Sequence, residues 1–145
     1  MTRFILDDFL PYQLAVLADH VSVGFSKHYK ERFGISLAEW RVLAHLSQYG
    51  SVSIREIHNT VLLEKSKISR AASRLEKNGF LTKSINPKDR RLLELALTDK
   101  GIQIMAEMAP IAKAYETEVL DILGDGSVCF RRSLNDLMAA KFPKK

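Results

Sequence analysis

Residues 65–78 read KSKISRAASRLEKN, and the two faces of this stretch constrain the chain more than any other feature. Ile68, Ala71, Ala72 and Leu75 stand at i, i+3, i+4 and i+7, which puts them on one side of a helix. Two alanines keep that side thin, so the helix can lie close against a neighbour. Ser66, Ser69, Arg70, Ser73, Arg74 and Lys77 take the other side, with Lys67 at its edge. A solvated helix ordinarily mixes both signs of charge and gains i,i+4 pairs. Here short hydroxyls and long cations share a face with no carboxylate near its middle. Those are the side chains that reach phosphates and base edges.

The residues after the helix narrow the reading. Asn78-Gly79 is a C-terminal stop. Residues 80–84 (FLTKS) make a short strand candidate, and residues 86–91 (NPKDRR) a turn with Lys88, Arg90 and Arg91 at its tip. Residues 93–97 (LELAL) return with apolar side chains at alternate positions. A basic helix followed by two strands and a basic turn describes a winged helix. Its helix fits a major groove about 12 Å wide, and its hairpin tip reaches the adjacent backbone or minor groove. The competing reading is a charged surface helix followed by a plain hairpin. Cations on both exposed parts, in this order, weigh against it.

At this point the sequence resembles a known family. The order of elements, the segment SRAASRLEKNGFL (69–81) and above all DRRLLELALTDKG (89–101) are similar to the MarR family of bacterial winged helix-turn-helix transcriptional regulators. The resemblance extends over about residues 10–138. It implies a homodimer that binds palindromic operators in double-stranded DNA, usually as a repressor. Many such proteins release DNA on binding a small aromatic or phenolic effector, or on oxidation. It also implies that Arg91, which matches the arginine of an Asp-x-Arg pattern, meets the minor groove or the backbone. Asp89 would orient the turn and that arginine.

The expected DNA-binding set is therefore Ser66, Lys67, Ser69, Arg70, Ser73, Arg74 and Lys77 on the helix, with Lys88, Arg90 and Arg91 on the wing. Arg70, central on the exposed face, is the candidate for a guanine edge. Lys67 and Lys77 are candidates for phosphates. Charge supports this placement. Residues 53–91 hold ten Lys/Arg against four Asp/Glu, a surplus of six, while the remainder holds twelve against thirteen. All of the excess positive charge lies in the winged-helix stretch.

The rest of the chain reads as helices around that part. Residues 10–33 form a long helix, with Pro11 in its first turn, Gly34 closing it, and Leu14, Leu17, Val21, Phe25 and His28 at near-helical spacing. Ser36 and Glu39 make a capping box for a helix to about Gln48, with Leu37, Trp40, Leu43, Ala44 and Ser47 on one face. Ser53 and Glu56 make a second box for a short helix to about Val61, the first of the helix-turn-helix. Thr98 caps a helix to about Leu123, which Pro110 should bend near Ala106. Ile102, Met105, Ala109, Ala112, Val119 and Ile122 give that helix an apolar surface. After Gly124-Asp125-Gly126, Ser127 caps a final helix, and residues 141–145 form a frayed basic tail.

The expected organisation is a single domain over 1–145. It is mainly α with a small β-hairpin wing: a winged helix-turn-helix at 36–98, with terminal dimerisation helices at 8–34 and 99–140. A chain of 145 residues can bury a core without disulfides or metals. No run approaches the ~18 apolar residues of a membrane span. Asp7 and Asp8 near the start do not fit an export signal, and one cysteine, Cys129, suits a reducing compartment, so the expected location is cytoplasmic.

Enzyme readings find little footing. There is no Gly-rich phosphate loop, no G-x-S-x-G and no H-E-x-x-H. The four histidines (20, 28, 45 and 58) lie in the first half without metal-ligand spacing, so neither metal nor cofactor is expected. Cys129 reads as a buried, inert thiol; Arg131 and Arg132 nearby leave a redox role as the alternative. Tyr12, Trp40 and His45 are candidates to line an effector pocket between the first two helices and the one with Pro110, against the plainer reading that they are core or surface. Two alternatives to a specific regulator stand: a protein-interaction module built on a winged-helix surface, and a non-specific architectural DNA-binding protein.

Overall fold

A computed structural model describes residues 1–61 and 63–143; of the expected basic tail, residues 144 and 145 lie outside the described part. The chain divides into two compact units, residues 1–111 and 112–145.

The first unit is built from four helices, the first part of a fifth, and a small sheet. Helix α1 spans Leu10–Phe33, α2 Leu37–Tyr49, α3 Ile54–Thr60, α4 Lys65–Lys77 and α5 Asp99–Asp121. Strand β1 is Val52–Ser53, β2 Leu81–Ile85 and β3 Leu93–Leu97. The strands form one antiparallel sheet in the order β1-β3-β2. The fold is thus mainly α with a β-hairpin wing, as the sequence suggested, with a third strand that it did not reveal. Two residues are too short to show a period of two, and Ser53 also serves as the N-cap of α3. Val52 pairs with Leu95 and Ser53 with Glu94, so the start of the helix-turn-helix is stitched to the wing.

The caps explain where the helices begin. Ser53 Oγ accepts the Glu56 amide while the Glu56 carboxylate accepts the Ser53 amide, a complete reciprocal box. The box expected at Ser36 is only half formed. Ser36 Oγ accepts the Glu39 amide, but its hydroxyl then donates to Glu39 Oε1 at 3.0 Å, and that carboxylate turns toward α4 instead of the Ser36 amide. Thr98 caps α5 by accepting the Gly101 amide and donates its own hydroxyl to the Gly79 carbonyl. Helix α5 continues through Pro110.

The core gathers around α4. Ile68, Ala71, Ala72 and Leu75 are buried, as their spacing required, against Val42, Leu43 and Leu46 of α2, Ile57 of α3, Leu95 of β3, and Ile104 and Met108 of α5. On α2 the buried face differs from the expected one: Val42 and Leu46 face inward and Ser47 is exposed. On α1 the expected stripe is followed only in its second half, where Val21, Phe25 and His28 are half-buried. Leu14 and Leu17 are exposed, and the buried residues are Ser26 and Tyr29 near the other end. Tyr29 stacks on Trp40 at 5.4 Å and 10° between planes, and Phe25 meets both rings edge-on. Aromatic contact, not the aliphatic stripe, docks α1 on α2.

The second unit contains the last turns of α5, a 3-10 turn at Gly124–Gly126 and helix α6, Ser127–Ala139. Ser127 does not cap α6. The backbone is already helical at Gly126 and Ser127, and a cap needs the extended conformation that lets its hydroxyl fold back. Arg131 on α6 meets Glu116 on α5 at 3.2 Å. Among the described residues of this unit none is buried, and Cys129 is exposed, not buried as expected. Val119, Leu120 and Leu134 are half-buried, while Ile122, Val128 and Met138 are exposed.

Candidate nucleic-acid interface

Helix α4 presents its polar face intact. Ser66, Lys67, Ser69, Arg70, Ser73, Arg74 and Lys77 are all exposed, opposite the four buried residues. At 13 residues it is about 20 Å long, enough to lie along several base pairs of a groove. Its lower end is fixed firmly. Gly79 has φ +82° and turns the chain. The Lys100 ammonium donates to the Asn78 carbonyl at 2.9 Å and sits 4.6 Å over the Phe80 ring. Gly101 lies so close to Phe80 that a Cβ there would fall 2.1 Å from its carbonyl oxygen. The first turn of α5 therefore clamps the exit of α4.

The polar face is not uniformly free. Arg74 Nη1 is 3.6 Å from Oε1 of Glu39, a residue only 4 % exposed. Ser73 Oγ accepts from the Lys83 ammonium on β2 at 2.8 Å, and Lys83 also lies 3.9 Å from Glu76. Arg70, by contrast, makes no ion pair among the described residues. Arg74 and Ser73 are thus braced to the scaffold, while Arg70 projects unpaired from the middle of the face. Glu39 and Lys83 belong to this arrangement although their patterns do not announce it. Glu39 is legible in the sequence only as a capping residue, and Lys83 only as one cation in a strand.

The wing holds its arginine by a fork. Asp89 accepts from the Arg91 backbone amide and Nε through Oδ1, both at 3.1 Å, and from Nη2 through Oδ2 at 3.2 Å. The guanidinium and backbone of Arg91 hold the Asp89 carboxyl below the usual carboxylate range, with a smaller contribution from the charge of Arg55. Arg91 is exposed nonetheless, with 85 % of its side chain accessible. Lys88 and Arg90 are exposed beside it. Arg55, in the first turn of α3, is a further cation on this side that stands outside the expected set.

The three pocket candidates do not come together. Trp40 and His45 line a shallow recess of about 360 Å³ with Arg41, Ala44, Thr60 and Val61, on α2 and α3; Tyr12 is not among its walls. His45 Nδ1 lies 3.2 Å from Thr60 Oγ1. Burial pushes the Tyr29 phenol above its ordinary value, against the opposing charge of Arg41. Among the described residues no three His, Cys, Asp or Glu side chains gather closely enough to hold a metal ion, and no helix is long and apolar enough to cross a membrane.

Comparison with known proteins agrees with this geometry. The MarR family profile matches residues 35–93, which run from the start of α2 through the wing turn. The repressor MdtR of Bacillus subtilis is 33 % identical over 93 residues, 64 % of this chain and 60 % of its own length. The chain thus spans about three fifths of that relative. A MarR family transcriptional regulator from Silicibacter pomeroyi shares 26 % identity and a TM-score of 0.74, covering 94 % of this chain and 99 % of that one. The fold also matches Bordetella bronchiseptica BpsR, whose DNA binding is regulated by 6-hydroxynicotinic acid, with a TM-score of 0.80 at 19 % identity over 97 % of this chain and 100 % of the other. These relatives are regulators, not enzymes.

Proposed function

We propose that the chain is a MarR-type sequence-specific DNA-binding transcriptional regulator, a repressor acting as a homodimer on a palindromic operator, a reading supported by the family match over residues 35–93. The observation that carries this reading is the exposed face of α4, where Arg70 stands unpaired among serines and lysines with no carboxylate near its middle. Arg70 meets a guanine edge through two donors. Lys67 and Lys77 meet phosphates, and Arg91, with Lys88 and Arg90, meets the adjacent backbone or minor groove. Ser66, Ser69 and Ser73 fill the helix face with short hydroxyls, and Arg74 adds a braced cation.

Dimerisation is supported by apolar surface that each unit leaves open. In the first unit Leu10, Leu14 and Leu17 of α1 are exposed; in the second, Val128 and Met138 of α6 are 70 % and 79 % exposed. Leu10, Leu14 and Leu17 stand at i, i+4 and i+7 on one face of α1, and an exposed apolar stripe of this kind supports a partner interface. A dimer reads two half-sites about one helical turn apart, which one helix cannot do alone. Such a regulator works in the cytoplasm, with the DNA.

The same reading assigns a small aromatic effector to the recess at Trp40 and His45. Trp40 is the single tryptophan, so binding there quenches or shifts the intrinsic fluorescence of the protein.

Selection of bound duplexes from a random DNA pool tests the function. A palindrome with half-site centres about one turn apart is the expected product. Enrichment without a motif would mean an architectural protein, and no enrichment at low salt would mean a winged helix turned to protein interaction.

A further inference from the structure

Glu94 is out of place by charge. It sits in the middle strand of the sheet, opposite Ser53 on β1 and Ser84 on β2, within a wing otherwise rich in cations. A carboxylate there repels phosphate and needs a compensating role. It does not neutralise a cation, because among the described residues it forms no ion pair. Both of its oxygens instead take neutral donors. Ser51 Oγ donates to Oε2 at 3.1 Å, and Asn86 Nδ2 donates to Oε1 at 2.6 Å.

The second of these bonds has a direction. With Nδ2 turned to Glu94, the Asn86 carbonyl oxygen must face the turn. There Oδ1 accepts the backbone amides of Lys88 at 2.8 Å and Asp89 at 3.1 Å. The Asn86 amide donates to the Leu92 carbonyl at 2.9 Å, and the Leu92 amide to the Asp89 carbonyl at 3.0 Å. Asp89 is thereby fixed on both sides of its own backbone, and its carboxylate forks onto Arg91. The chain of oriented bonds runs from Ser51 through Glu94, Asn86 and Asp89 to Arg91.

We propose that Glu94 and Asn86 are positioning residues that preset the wing arginine for DNA. A long exposed arginine otherwise loses rotamer freedom when it docks, and fixing the turn beforehand removes part of that loss. Neither residue touches the DNA; both act through Arg91. The inference rests on the DNA-binding reading above.

A double-mutant cycle tests it. Wild type, Glu94→Ala, Arg91→Ala and the double variant are titrated onto a labelled duplex at low salt, and amide hydrogen exchange is measured on the free proteins. Glu94→Ala should weaken binding about three- to tenfold, the range expected for one oriented hydrogen bond. In the Arg91→Ala background it should add less than about twofold. Glu94→Gln, which keeps an acceptor for Asn86 Nδ2, should restore most of the affinity, and Asn86→Ala should mimic Glu94→Ala. Exchange at the Lys88 and Asp89 amides should speed up in Glu94→Ala and Asn86→Ala. Losses that multiply in the double variant, or unchanged exchange at both amides, would overturn the proposal. If Glu94→Ala fails to fold, Glu94→Gln and Asn86→Ala decide by the same two readouts. If wild type binds no duplex, the DNA reading fails, while the exchange rates still decide whether Glu94 orders the turn.

Discussion

Arg74 on the exposed face of α4 reaches across to Glu39, whose carboxylate is buried beneath it on α2, with Nη1 and Oε1 3.6 Å apart. The residue that joins the polar face to the core is thus an ion pair with one end in solvent and the other inside. Its worth is modest, because the Arg74 side chain is 62 % exposed. Its loss is one-sided, because the acid stays buried with fewer partners. Arg74→Ala should lower the unfolding free energy by about 1 kcal/mol in denaturant titration. Arg70→Ala, in the same experiment, should leave it within about 0.5 kcal/mol. Equal effects of the two changes would contradict this division of labour.

Gly101 offers a sharper test of the clamp between α4 and α5. A Cβ at this position would meet the Phe80 carbonyl oxygen at 2.1 Å, and that oxygen also accepts the Thr98 amide. Backbone must move to make room. Gly101→Ala should cost at least about 1–3 kcal/mol by overpacking, despite alanine being the better helix former. A melting temperature equal to or above that of wild type would show that the two helices are not held this closely.

Asp89 ties the wing to pH in a defined direction. Its folded carboxyl titrates below the ordinary range because Arg91 holds it, so its contribution is present above the unfolded value and is lost as pH falls through the folded one. The fork should therefore persist at neutral and mildly acid pH and release Arg91 only in stronger acid. A carboxyl NMR titration reads this directly. The Asp89 transition should move up toward the ordinary carboxylate range in Arg91→Ala; an unmoved transition would mean that the fork does not form in solution.

Arg70 carries the specificity claim. It is central on the α4 face and unpaired, whereas Arg74 is spent in part on Glu39. Arg70→Ala should cost about 1–3 kcal/mol of operator affinity and relax the preference at one base position in each half-site. Lys77→Ala should weaken all sequences about equally. If Arg70→Ala bound every duplex with the wild-type order of preference, the base contact would belong to another residue.

How much of the molecule is legible in its sequence depends on the kind of signal. Ile68, Ala71, Ala72 and Leu75 announce the buried side of α4, since a single helix with strongly opposed faces leaves no other solution. Asn78-Gly79 and the alternation at 93–97 mark the wing. Strand β1 is hidden because two residues carry no period. The inward faces of α1 and α2 depart in part from expectation because both helices are apolar on more than one side. There the choice falls to the stacking of Tyr29 on Trp40, a contact between residues 11 positions apart. Glu39, Lys83 and Glu94 are hidden for the same reason: each acts through a partner distant in sequence, and no spacing rule brings such pairs together.

Binding of duplex DNA by α4 and the wing, through phosphates as well as bases, should depend steeply on salt. The most direct test is the salt dependence of binding, measured by fluorescence anisotropy on a selected duplex between low and moderate ionic strength. With several phosphates neutralised per subunit, log K should fall linearly with log[salt] at a slope on the order of −5 to −9. Lys67→Ala and Lys77→Ala should each flatten that slope by about 1 for every phosphate left without its lysine in the bound complex. A slope near zero for the wild-type protein would contradict the account and leave a winged helix without DNA as its partner.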